Sequence, residues 1–290
     1  MPLANAALLD KLLSHRLRGF STFEHTPSAL DHACASSVPY LEVDTRVSQD
    51  GHIYLYHDAK TGRDLNRACV FARSPAAQLD QLRFINGEPL LTLQTALQRF
   101  QNRTFSDQRL CLDVKDYGFE EKHLQLVRDA GLDDHVYFVS WIPQTLLRLH
   151  ELGVKTPLFL SHWNLTAWGK PGRLLTALLR DKRFALGSYV IQGVNRATSD
   201  LSAWRHGYSH ALVCQQLPEP LLAIMTSSEG GLCIHRSLYD EALATYCLQH
   251  GLKLWLYAVN TPHQYAHDAT LPAVDVVFSD DAPGVLEALA

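Results

Sequence analysis

The sequence predicts an α/β protein, a (β/α)8 TIM barrel with a small insertion after the second strand. Three observations carry this expectation. Short alternating runs recur between helical stretches, a strand–helix rhythm with short loops that implies a parallel sheet. Helical stretches close on glycine at Gly131, Gly153 and Gly251, the residue that best tolerates the left-handed turn after a helix. Polar residues gather at or near the C-terminal ends of strands, at Glu42, Asp44, Asp113, Lys115 and Asn260, the end at which a barrel builds its site. The 290 residues suit one barrel domain over 1–290, with 59–89 as the insertion.

The elements follow in order. Residues 8–13 read as a short helical lead-in, with His15 and Arg16 at the start of a strand. The stretch 27–37 (PSALDHACASS) reads as a helix with Pro27 in its first turn. The strand 39–47 is the organising element. Along Tyr40–Val47, Glu42, Asp44 and Arg46 share one face, and Leu41, Val43, Thr45 and Val47 share the other. Gln49-Asp50-Gly51 is a turn signal, and a second alternating run, 53–56, ends in His57-Asp58. The pattern weakens over 59–89, where one short helix is expected near 75–82. A helix over 92–100 starts on Thr92 as N-cap. The strand 109–116 puts Asp113 and Lys115 on one face, with Leu110, Leu112 and Val114 opposite. Helices over 119–130 and 144–152 alternate with strands over 135–139 and 156–160. Over 161–230 the reading is weaker: a helix over 174–179, a strand over 187–194, and an apolar segment over 210–226 broken by Pro218 and Pro220. Strands over 232–235, 252–259 and 274–278, with helices over 237–250, from Pro262 onward and over 283–289, complete eight strands or one more.

Composition excludes several classes of function. A net charge of −4 gives no reason to expect nucleic acid or an anionic membrane as a partner. No apolar run approaches the length of a membrane span, so stable membrane insertion is not expected. The first residues lack a basic n-region, and Asp10 and Lys11 interrupt the apolar stretch. That is a poor secretory signal and points to the cytoplasm. The six cysteines are scattered with no CxxC pair, as reduced thiols are.

Two carboxylates side by side on one strand face repel each other and are costly to bury without a cation. Glu42, Asp44 and Asp113 at one barrel mouth form a hard, oxygen-only site suited to one Mg²⁺ or Ca²⁺ and poor for zinc. Arg16 and Lys115 beside it fit an anionic, phosphate-bearing substrate. Of fifteen histidines, His15 and His57 fall at the same mouth and titrate near neutrality, as a general acid and base must. Metal, cations and a histidine pair together describe phosphodiester cleavage on a small-molecule substrate.

At these residues the chain resembles the glycerophosphodiester phosphodiesterases. The family's H-R-G and E-N-T are matched by His15-Arg16-Leu17 and Glu24-His25-Thr26, and its E-x-D, D-G and H-D by Glu42-Val43-Asp44, Asp50-Gly51 and His57-Asp58. Its E-x-K is matched by Asp113-Val114-Lys115, its S-F by Ser140-Trp141, its W-T-V-N by Tyr257-Ala258-Val259-Asn260, and its T-D by Ser279-Asp280. The resemblance implies metal-dependent hydrolysis of glycerophosphodiesters to glycerol 3-phosphate and an alcohol. Glu42, Asp44 and Asp113 would hold the metal, Arg16 and Lys115 would bind the phosphate, and His15 and His57 would exchange protons in an order left open. Tyr257 stands where the family has a tryptophan that shapes the substrate pocket. Leu17 replaces the motif glycine, His25 the asparagine and Asp113 the glutamate, and none of these changes removes a charged or acid–base group. The alternatives are a lysophospholipase D or sphingomyelinase D-like lipid phosphodiesterase, which an aspartate as third ligand resembles, and an inactive barrel that binds a phosphorylated ligand.

Overall fold

The computed structural model describes residues 3–161, 163–165, 212–214, 217 and 219–290. Eight parallel strands close into a barrel. In spatial order they are β1 (Leu12–Ser14), β2 (Tyr40–Val47), β4 (Arg109–Val114), β5 (Val136–Ser140), β6 (Leu158–Ser161), β9 (Gly231–His235), β10 (Lys253–Val259) and β11 (Val274–Ser279). Closure falls on the shortest strand. Leu13 of β1 pairs with Tyr40 of β2 on one side and with Phe278 of β11 on the other. Strand β3 (Ile53–Leu55) runs antiparallel to the end of β2, and β7 (Trp163–Leu165) and β8 (Leu212–Cys214) form a separate parallel pair.

The helices wrap the outside: α2 (Pro27–Ala35), α4 (Leu93–Gln101), α5 (Glu120–Asp129), α6 (Pro143–Glu151), α7 (Glu219–Ser227), α8 (Glu241–His250), α9 (Pro262–Asp268) and α10 (Ala282–Leu289). Five of the starts follow from side-chain caps. Thr26, Thr92, Asp240, Thr261 and Asp281 each accept a backbone N–H from the first turn, satisfying donors that have no partner within the helix.

The strand alternation sorts two cores. Leu41, Val43, Leu110 and Leu112 face outward and pack with Leu124, Val127 and Leu146 of the helices. Leu13, Cys111, Val139, Phe159, Cys233, Trp255, Val276 and Phe278 fill the barrel interior, where the rings of Phe159 and Trp255 stack. Residues 59–89 carry the short helix α3 (Ala76–Leu79) and a core of their own. Phe71, Leu79, Leu82 and Phe84 cluster on Tyr54 and Tyr56 at the edge of the hairpin. This separate cluster hangs from β3 between β2 and β4.

Four expectations change. The lead-in 8–13 is not one helix: helix α1 covers Leu3–Leu9, and Leu12–Ser14 is the closing strand. Both leucines are fully buried, so the sheet claims them although three residues are too few to alternate visibly. His15 and Arg16 therefore follow a strand, in a 3-10 turn His15–Leu17, rather than beginning one. The helix expected from Ser237 begins only after Asp240, behind a 3-10 turn Arg236–Leu238. The helix expected over 174–179 and the strand expected over 187–194 lie outside the described residues. In the apolar segment 210–226, Pro220 opens α7 rather than breaking it.

Candidate active site

A cavity of about 290 Å³ is lined by residues from the C-terminal ends of the barrel strands. Its floor is acidic. Asp44 and Asp113 are direct neighbours across the β2–β4 ladder, and Glu42 lies one step deeper on the same face. Ligand oxygens of the three lie within 4.8 Å of one another, and all three residues are buried.

Two cations answer them. Lys115 Nζ lies 2.9 Å from Asp44 Oδ1 and 2.5 Å from Asp113 Oδ2. Arg16 Nε lies 3.3 Å from Asp44 Oδ2, and the Arg16 N–H donates to Glu42 Oε2 at 2.8 Å. The compensation is unequal. Burial, reinforced by Asp44 and Asp113, pushes the Glu42 carboxyl well above its ordinary range. Burial also acts to raise Asp44, but Lys115, His57 and Arg16 outweigh it and hold Asp44 well below. Burial leaves Asp113 raised despite Lys115. Asp44 Oδ2 and Asp113 Oδ1 are buried and accept no hydrogen bond. Buried carboxylate oxygens that accept no hydrogen bond are costly, and an all-oxygen donor set with two of them suits a hard divalent cation.

The turn after β1 places Arg16 over this floor at a conformational cost. Arg16 and Leu17 take φ values of 57° and 59°, the left-handed region that disfavours side chains by about 1–2 kcal/mol each. The leucine standing in the family's glycine position thus keeps a glycine-like backbone, with its side chain fully buried. His25, also at positive φ and fully buried, accepts the Asp44 N–H on Nε2 at 3.1 Å. Its ring thereby fixes the backbone of the central carboxylate.

The two histidines are built alike. His15 Nδ1 lies 2.6 Å from Asp280 Oδ1, and His57 Nδ1 lies 2.7 Å from Asp58 Oδ1. A carboxylate only accepts, so Nδ1 carries the proton in each ring and Nε2 the lone pair. Burial and, more weakly, Arg16 pull His15 down to about 4 against the opposing Asp280. Desolvation in the cavity pulls His57, whose side chain keeps one third of its exposure, to about 4 against Asp44. Both rings are neutral at pH 7 and both line the cavity. Asp280 also meets Arg18 Nη1 at 3.0 Å.

Of the residues expected at the site, His15, Arg16, Glu42, Asp44, His57, Asp113, Lys115 and Tyr257 all line this one cavity. A backbone irregularity between Leu256 and Val259, with Ala258 at φ 71°, sits where Tyr257 meets it. Val139, Trp141 and Phe278 form the apolar wall. Asn260, expected near the mouth, is exposed and outside the lining. Arg18, Arg46 and Asp58 line the cavity without having been singled out for a role. Asp280, matched in sequence to the family's T-D, carried no role there and takes one as the partner of His15.

The profile of the glycerophosphoryl diester phosphodiesterase family matches residues 13–283. Among curated proteins no sequence matches the chain. Solved structures share the fold. A phosphodiesterase of Oleispira antarctica, in complex with the product sn-glycerol-3-phosphate, superposes with a TM-score of 0.64 at 19% identity, covering 98% of each chain. A glycerophosphodiester phosphodiesterase of Parabacteroides distasonis superposes with a TM-score of 0.64 at 16% identity, covering 96% of each. An Agrobacterium tumefaciens protein assigned as a glycerophosphoryl diester phosphodiesterase reaches 0.68 at 14% identity, again covering 96% of each. At these identities the superpositions speak to the barrel alone. The profile, which spans nearly the whole chain, decides the family: this protein belongs to the glycerophosphoryl diester phosphodiesterases.

Proposed function

We propose that the chain hydrolyses glycerophosphodiesters to glycerol 3-phosphate and an alcohol, using one divalent cation, Mg²⁺ or Ca²⁺, and the pair His15 and His57. The observation that carries this reading is the meeting of three buried carboxylates, two of them with an oxygen that accepts no hydrogen bond, with two carboxylate-oriented imidazoles in one cavity. The Oleispira protein holds glycerol 3-phosphate on the same fold, which supports the choice of product.

Glu42, Asp44 and Asp113 would hold the cation, which when bound supplies Lewis-acid stabilisation of phosphoryl charge. Arg16 and Lys115 face the same cavity and neutralise further charge on the phosphate oxygens. One histidine takes a proton on Nε2 from the nucleophile, either the substrate's own glycerol hydroxyl or water. The other gives a proton to the leaving alkoxide, a proton it first gains on Nε2 when the anionic phosphate binds beside it and favours the imidazolium. Asp280 and Asp58 hold the two rings and stabilise whichever becomes imidazolium. The apolar wall around Trp141 and Tyr257 receives the less polar part of the substrate.

The test is release of glycerol 3-phosphate from glycerophosphocholine with Mg²⁺ or Ca²⁺, and then with EDTA. Turnover that requires the metal is expected. Turnover undiminished by EDTA would remove the metal from the mechanism.

A further inference from the structure

His57 has a weakness that its role at the site makes important. Its side chain is one-third exposed, and its carboxylate partner Asp58 is more exposed still, at 68%. It also lies beyond the last ladder residue of the hairpin, since β3 ends at Leu55 and the Tyr56 N–H makes the last bond back to Asp44. Sheet pairing therefore does not hold its backbone.

Arg46 does. Its Nε donates to the His57 carbonyl at 2.8 Å, and its Nη1 donates to Asp116 Oδ1 at 3.2 Å. The other oxygen of Asp116 accepts the Val47 N–H at 2.9 Å. Arg46 and Asp116 are both buried. The chain of contacts runs from the end of β4 through Asp116 to the end of β2, and from the rigid guanidinium of Arg46 to the backbone of His57. A planar fork with fixed donor directions suits this bridging better than a flexible ammonium would.

We infer that Arg46, set by Asp116, is a positioning residue for catalysis: it fixes the His57 backbone so that the imidazole meets the reacting atoms. The inference rests on the proposed role of His57. Arg46 also borders the cavity, so direct binding of the substrate's phosphate is the competing role, and kinetics separate the two. Loss of positioning lowers kcat, because displacement of a proton-transfer group by about 1 Å can cost about 100-fold. Loss of a ground-state contact raises KM.

The experiment measures kcat and KM for glycerophosphocholine with Arg46→Met, Arg46→Met/Asp116→Asn, His57→Ala and the Arg46→Met/His57→Ala double variant. The Asp116→Asn change spares the fold an unpaired buried carboxylate and keeps an acceptor for Val47. The expected result is a kcat lowered roughly 10- to 100-fold with KM within about twofold of wild type, in both Arg46 variants. Adding Arg46→Met to His57→Ala should cost nothing further, because the group it positions is gone. A raised KM with unchanged kcat would overturn the inference in favour of substrate binding. An equal proportional loss with and without His57 would overturn it in favour of a general structural role. Full activity in His57→Ala would instead strike at the role of His57 itself.

Discussion

Asp280 shows how a single residue completes a site. It follows β11 directly, accepts the Nδ1 proton of His15 and is shared with Arg18. Burial acts to raise it, but hydrogen bonding to His15 and the charges of His15 and Arg18 bring it down to about 2, so it is an anion at any working pH. Asp280→Asn would let the amide oxygen accept from Nδ1 but would offer no charge to an imidazolium. We expect kcat to fall by roughly tenfold or more, with the thermal midpoint little changed. Steady-state kinetics and a melting curve on the same sample check this, and an unchanged kcat would remove Asp280 from the proton-transfer machinery. The substitutions at positions 17, 25 and 113 are also explained at this scale. Leu17 accepts left-handed backbone strain, His25 supplies an acceptor for the Asp44 N–H, and Asp113 is the direct ladder neighbour of Asp44.

At the scale of elements, helix α5 is tied to β2 through one buried histidine. His123 Nδ1 donates to the Phe119 carbonyl at 2.8 Å, and Nε2 lies 3.0 Å from Thr45 Oγ1. Burial, with a smaller push from Lys122, lowers His123 to about 4. The sign is fixed by linkage. A folded-state pKa below the unfolded value of about 6.5 gives stability that is full above pH 6.5 and is lost as pH falls toward 4. We expect the stability advantage of wild type over His123→Gln, measured by urea unfolding, to shrink between pH 7 and pH 4. A constant difference would mean that His123 is not buried neutral. The same scale shows what could be read from sequence. The alternation in 40–47 and 109–116 revealed which residues face the site, because a period of two survives without tertiary context. Leu12–Ser14 could not be read, since three apolar residues after a helix carry no period. Arg46–Asp116 and His15–Asp280 are contacts across 70 and 265 positions, and only the closed barrel brings them together.

The whole molecule makes the site by closure. The shortest barrel strand, β1, closes the ring between β2 and β11, and the turn beyond it delivers His15 and Arg16 to carboxylates on β2 and β4. Among the described residues no helix is long and apolar enough to cross a membrane. On this reading, cation binding and phosphodiester cleavage depend on the same three carboxylates. The most direct measurement is calorimetric titration of Mg²⁺ and Ca²⁺ into wild type and Asp44→Asn, with glycerophosphocholine turnover assayed on the same preparations. Wild type is expected to bind one ion and turn over substrate, and Asp44→Asn, still folded, to do neither. Turnover that persists in Asp44→Asn after ion binding is lost would contradict it.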